Sequence, residues 1–191
     1  MEQENFNALR LIEDMIHKTK RTYTDNGFVY LFWGYLVFIS AGIHYVLMKM
    51  ENPLAYLPWA VLMPIGGLVM VIWSIKENRR EKQVKSYVDT LMKYIWIGFG
   101  AVLLIVLIRM PLLKLYTYPI IMLIYGLPTF ITGGIFNFKP LMIGGMLCWV
   151  FGFIAFQMSF DNQLIWLMAS ILVAYIVPGH ILKSEYKKLP L

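Results

Sequence analysis

The sequence predicts an all-α, polytopic membrane protein, with six transmembrane helices preceded by a cytoplasmic amphipathic helix and both termini inside. Three observations predict it. First, the chain of 191 residues is 59% hydrophobic and only 15% charged, whereas a soluble domain is about 45–50% apolar and about 25% charged. A mean hydropathy of +0.63 points the same way, and a globule of this size has too little interior to hide such an excess. Second, the apolar residues gather into six runs. Third, the basic residues lie between those runs, nearly all on one side. A soluble enzyme, a disordered tail and a disulfide-stapled module are thereby excluded. The single cysteine, Cys148, also excludes an intrachain disulfide and a Cys-based zinc cluster.

The first element is the amphipathic helix over 1–26. Phe6, Leu9, Ile12, Ile16 and Tyr23 recur at helical spacing, with Arg10, Glu13, Asp14, Lys18 and Arg21 largely elsewhere. Acids come early and bases late, an order that suits the helix dipole. Thr24-Asp25-Asn26-Gly27 breaks the helix. No apolar run follows a short basic start, so the segment does not read as a cleavable signal peptide.

The six spans are expected at 27–48, 53–75, 90–108, 115–136, 141–158 and 164–182, followed by a basic cytoplasmic tail at 183–191. Each run is near the roughly 20 residues a helix needs to cross about 30 Å of hydrocarbon. A backbone in lipid must satisfy its own hydrogen bonds, which favours helices. The runs lack the alternation that a barrel requires. Most connections are short, and Pro111 is expected to stop a helix between spans three and four. Only 76–89 is longer, and it contains no Gly or Pro.

Orientation follows from the placement of Lys and Arg. With the N-terminus inside, only Lys49, Arg109 and Lys114 of the 17 basic residues fall outside. Tyr56, Trp59, Tyr116, Tyr118 and Trp166 then read as the outer aromatic belt, with Tyr30, Trp33, Trp73, Tyr94, Trp96 and Tyr186 as the inner one.

Chemistry is sparse. No Asp or Glu lies within any run, which argues against proton-coupled carriers and intramembrane aspartyl enzymes. No HExxH, Walker, GxGxxG or GxSxG motif is present, and the three histidines have no ligand-like spacing. No catalytic, metal or cofactor site is therefore assigned. The candidate polar or kinked positions are Ser40, His44, Arg109, Gly126, Pro128, Thr129, Thr132 and Gln157. Ser40 and His44 are one helical turn apart. They would suit nucleophilic catalysis only with an orienting acid and an oxyanion site. The simpler reading has Ser40 bonding back to a carbonyl. Arg109 is expected to reach the outer headgroups. Pro128 removes a backbone donor and should kink span four, freeing a carbonyl beside Thr129 and Thr132. Gly144, Cys148 and Gly152 form a small-residue stripe for close helix packing.

An Ile-Gly-Gly pair recurs at 65–67 in span two and 143–145 in span five, as inverted three-helix halves would place it. The stretches Tyr125-Gly126-Leu127-Pro128-Thr129-Phe130-Ile131-Thr132-Gly133-Gly134 and Phe138-Lys139-Pro140-Leu141-Met142-Ile143-Gly144-Gly145 carry a resemblance. So does Asn26-Gly27-Phe28-Val29-Tyr30-Leu31-Phe32-Trp33-Gly34. They resemble small uncharacterised integral membrane proteins of Bacteroidota-type bacteria. The resemblance implies a bacterial inner (cytoplasmic) membrane protein and carries no assigned activity.

The leading functional reading is a non-enzymatic interaction or regulatory protein. Its basic inner faces at 1–24 and 76–85 would meet a cytoplasmic protein or anionic lipid. Nucleic acid is not expected as a partner, and homo-oligomerisation stays open. The alternatives are a small transporter or channel for a neutral or weakly polar solute, and a lipid-modifying enzyme resting on Ser40, His44 and Arg109.

Overall fold

The computed structural model describes residues 27–80 and 87–186. The expected amphipathic helix over 1–26, residues 81–85 of the basic inner face and residues 187–191 of the tail lie outside them. The described residues are helical, with no strand among them. In chain order the main helices are α1 (Phe28–Lys49), α2 (Leu57–Arg80), α3 (Tyr87–Ile108), α4 (Thr117–Ile135), α5 (Lys139–Ala155), α6 (Phe160–Ile171) and α7 (Val177–Tyr186). A π turn, Leu172–Ile176, fuses α6 and α7 into one long rod.

Five segments are long and apolar enough to cross a membrane: Phe28–Lys49, Leu57–Lys76, Thr90–Ile108, Met110–Ile135 and Phe160–Ser184. The fifth expected run is the exception. It forms α5, of 17 residues, and ends at Ala155 instead of continuing to 158. The chain tightens there into three-residue turns, with Gln157 N–H on the Ile154 carbonyl and Met158 N–H on the Ala155 carbonyl, each at 3.1 Å. At its other end α5 starts two residues early, because Pro140 sits in the first turn, where its missing N–H costs nothing. The same reasoning corrects the reading of Pro111. It opens a short helical turn, Met110–Leu113, rather than closing one. The described part of the expected tail, 183–186, is helical and belongs to α7.

Apart from the fused α6 and α7, successive helices run antiparallel, and their contacts sort them by depth. The C-terminal end of α1 and the N-terminal ends of α2, α4 and α6 meet at His44, Trp59, Tyr118 and Phe160. At the opposite end Gly27, Tyr30, Met92, Phe136, Phe138, Leu141 and Leu182 come together. The core is built from α1, α4, α5 and α6, with Ala41, Met122, Cys148, Ala155, Leu164 and Ala174 fully buried. Helix α2 packs mainly on α1, and α3 on α4. Both leave large apolar side chains outside, among them Leu68 and Ile72 on α2 and Ile105 and Ile108 on α3. Such a surface is costly in water and ordinary in lipid.

The closest helix pair is α4 with α5, and its seam is glycine. A Cβ on Gly133 would stand 2.6 Å from the Met142 nitrogen, and one on Gly145 would stand 2.7 Å from the Phe130 nitrogen. Backbone cannot move aside, so only hydrogen fits. Gly126 lies on the same seam, under Trp149. Asn137 closes the hairpin in the left-handed region at φ 49°, and Phe138 N–H returns to the Gly133 carbonyl at 2.8 Å.

The two Ile-Gly-Gly segments have unlike surroundings. Gly66 lies on Leu36 and Gly67 faces open space, whereas Gly144 and Gly145 abut the backbones of Ala174 and Phe130.

Candidate functional site

Antiparallel packing builds the most concentrated polar arrangement at the end where α1 stops. His44 lies on the buried face of α1, in line with Val37, Ser40 and Ala41. Helix α2 starts close by and brings Trp59. Helix α4 brings Tyr118 and α6 brings Phe160, each from its first turn. The Trp59 indole Nε1–H donates to His44 Nδ1 at 2.7 Å. The Tyr118 hydroxyl lies 2.9 Å from the same nitrogen. Three rings surround the imidazole, with centroids 6.4 Å (Trp59), 6.1 Å (Tyr118) and 6.1 Å (Phe160) away.

This geometry settles the tautomer. An indole N–H can only donate, so Nδ1 must be a bare acceptor and the imidazole proton sits on Nε2. The ring is neutral, and its one Nδ1 lone pair faces two donors. One turn further on, Lys49 on α1 pairs with Asp161 on α6 at 2.5 Å and lies 5.6 Å above the Tyr45 ring. Ser159 donates to the other Asp161 oxygen at 2.5 Å. Helices α1 and α6 are thus joined twice at this end, by an ionic contact at the rim and an aromatic one beneath it.

Ser40 shares the buried face but not the cluster. Its hydroxyl donates back to the Leu36 carbonyl at 2.7 Å, as the simpler sequence reading has it. Ser40 and His44 are therefore neighbours that bond to different partners. Arg109 is exposed between α3 and the Met110–Leu113 turn, where its carbonyl accepts from Leu112 and Leu113 N–H. Gln157 is exposed beyond the end of α5. Neither joins the His44 group.

A second group lies deeper, around α4. Gly126, Pro128, Thr129 and Thr132 are all buried. The helix runs through Pro128 without interruption. Carbonyls on either side of the position that Pro128 leaves without a donor have side-chain partners. Leu123 O accepts from Trp149 Nε1 at 3.1 Å, and Tyr125 O accepts from Thr129 Oγ1 at 2.7 Å. Thr129 also lies 3.4 Å from the Tyr175 hydroxyl in the π turn. Tyr175 packs against Tyr125 and Tyr30, at 5.3 Å and 5.9 Å. Phe99 of α3 covers Tyr125 at 4.9 Å. Thr117 Oγ1, Thr132 Oγ1 and Gln163 Oε1 are buried without a hydrogen-bond partner.

The packing stripe Gly144, Cys148 and Gly152 is buried throughout, but it serves two neighbours. Gly144 meets the backbone of Val173 and Ala174, and Cys148 Sγ points to the Ser170 carbonyl at 3.9 Å. Gly152 instead faces Leu123 and the Pro119 carbonyl on α4. Among the described residues, no three His, Cys, Asp or Glu side chains gather in a way that could hold a metal ion.

Sequence reasoning placed Trp59 and Tyr118 in an outer belt. They stand at that end of the bundle, but Tyr118 is only 3% exposed and turns inward to His44. The signal that could have found it is the polar Thr117-Tyr118 pair at the start of an apolar run, beside a histidine at the end of another. Tyr116 and Tyr56 do face outward, at 54% and 57% exposure.

The fold defines an all-helical protein with several membrane-competent helices. Set beside known proteins, the chain matches no protein-family model, no curated protein and no solved structure.

Proposed function

We propose that this chain is a six-span protein of the bacterial inner membrane, with both termini inside, that acts by binding a partner rather than by catalysis. Helix α5 serves as the sixth span, since 17 residues rise about 26 Å, near the hydrocarbon thickness. The observation that carries this reading is how the chemically capable side chains are spent. Ser40 and Ser170 donate to carbonyls of their own helices, His44 accepts from Trp59, and Thr129 bonds to Tyr125. Three of these bonds lie within single helices and the fourth joins α1 to α2, and neither Ser40 nor Ser170 bonds to a histidine. The basic residues at 1–24 and 76–85 supply the inner face that a cytoplasmic protein or anionic lipid would meet. Deleting residues 1–24 should abolish the physiological effect of the protein while leaving it inserted in the membrane. A deletion strain fully complemented by the shortened chain would overturn this reading.

One observation favours a second reading, a small transporter for a neutral solute. Pro128 on α4 and the π turn between α6 and α7 lie at one depth, where Thr129 meets Tyr175. Pro128 leaves one carbonyl of α4 without its helical donor, irregular helices often accompany binding sites in transporters, and π turns often mark functional positions. Vesicles reconstituted with the protein should then show solute uptake above that of empty vesicles.

A further inference from the structure

We infer that His44 is a proton-operated latch that fastens α2 to α1. Helix α2 packs mainly on α1. At the His44 end, the Trp59 Nε1–H to His44 Nδ1 bond of 2.7 Å is the polar link between them. The bond exists only while Nδ1 is bare. A proton on Nδ1 turns the acceptor into a donor that points at another donor. Trp59 Nε1–H cannot turn from donor to acceptor, and the acceptor left to it is the Tyr118 hydroxyl on α4. Tyr118 can do both. Its hydroxyl, 2.9 Å from Nδ1, can rotate and accept the new proton, so α4 keeps its hold on the imidazolium. Protonation therefore breaks the polar link between α1 and α2, while α1 and α2 each keep Tyr118 of α4.

The ionisable groups near His44 come from three helices. From α1 come Tyr45 and Lys49, from α4 Tyr118, and from α6 Asp161. Helix α2 contributes the uncharged Trp59. Lys49 and Asp161 are paired with each other, so they add no net charge beside the ring. The latch is closed while His44 Nδ1 is bare and opens once acidification puts a proton on it. Protons would arrive from the outer side of the membrane if the N-in orientation holds. The latch itself does not depend on that orientation.

The test uses the full chain in lipid nanodiscs with ¹⁵N-labelled tryptophan. The chain has 6 tryptophans, and Trp59→Phe identifies the Trp59 indole signal by its loss. Between neutral and mildly acidic pH that signal should move upfield, as a hydrogen bond to imidazole is lost, with a one-proton profile. In His44→Gln the amide oxygen accepts from Trp59 but takes no proton, so the signal should stay downfield and pH-independent. A pH-independent Trp59 signal in the native chain would refute the latch, as would the same titration in His44→Gln. Thermal unfolding gives a second readout if the glutamine variant fails to fold. The native melting temperature should fall with pH more steeply than that of Trp59→Phe, which already lacks the bond. Parallel pH curves for the two would equally overturn the inference.

Discussion

Gly133 and Gly134 adjoin in the chain but differ entirely in what an added methyl group would meet. At Gly133 a Cβ would press on the Met142 nitrogen and on the Leu141 carbonyl carbon, 2.6 Å and 3.0 Å away. At Gly134 nothing lies within 4 Å. Overpacking a close seam costs about 1–3 kcal/mol, whereas an open helical glycine gains by losing unfolded-state freedom, by about 0.4–1 kcal/mol. Gly133→Ala should therefore lower the thermal stability of the detergent-solubilised protein, and Gly134→Ala should match or exceed the parent. Equal melting temperatures for the two variants would contradict the α4–α5 seam. The sequence shows both glycines but not which of them faces α5, since the difference is a rotation of about 100° on one helix. The same holds for the expected stripe. Gly144, Cys148 and Gly152 were legible as buried small residues, but not as serving α6 and α4 in turn.

At the scale of elements, the helices were legible because apolar runs in lipid have one way to satisfy their backbones. Their ends were less so. Pro111 and Pro140 both belong to first turns, where proline begins helices as readily as it stops them. The partners of His44 were not legible at all. Trp59 is 15 residues away and Tyr118 is 74 away, and nothing local in the sequence records either contact. Pro128 tests the meaning of α4. Restoring an N–H with Pro128→Ala lets the Ile124 carbonyl regain a helical partner. The helix should become more stable, and the Thr129–Tyr175 contact should slacken. If the protein carries a solute, uptake by reconstituted vesicles should drop in this variant. Uptake equal to that of the parent would remove the helix break from the transport reading.

At the scale of the whole molecule, the antiparallel alternation makes a strict prediction about sidedness. Lys49, Arg109 and Lys114 share one end, whereas Lys76, Lys139 and Lys183 share the other. The positive-inside rule predicts that the larger basic set faces the cytoplasm. Single cysteines at exposed positions 51, 112 and 157, placed in a Cys148→Ala background, should react with a membrane-impermeant thiol reagent in intact cells. Cysteines at 76 and 183 should react only after the membrane is opened. The reverse pattern would invert the topology while leaving the fold untouched.

The contact of α1 with α6 and α7 has a consequence for how the molecule is made. The α4–α5 hairpin is local, closed by a short turn, and can pair as soon as its two helices have left the ribosome. Helix α1 cannot. Its buried face, with Gly34, Ser40 and His44, is covered largely by residues 160–182, which are synthesised more than a hundred residues later. Until then α1 has mainly α2 beside it, with Trp59 on His44 and the Ser40 hydroxyl on the Leu36 carbonyl. Docking of α6 and α7, rather than formation of α1, is the event that completes the packing of this face.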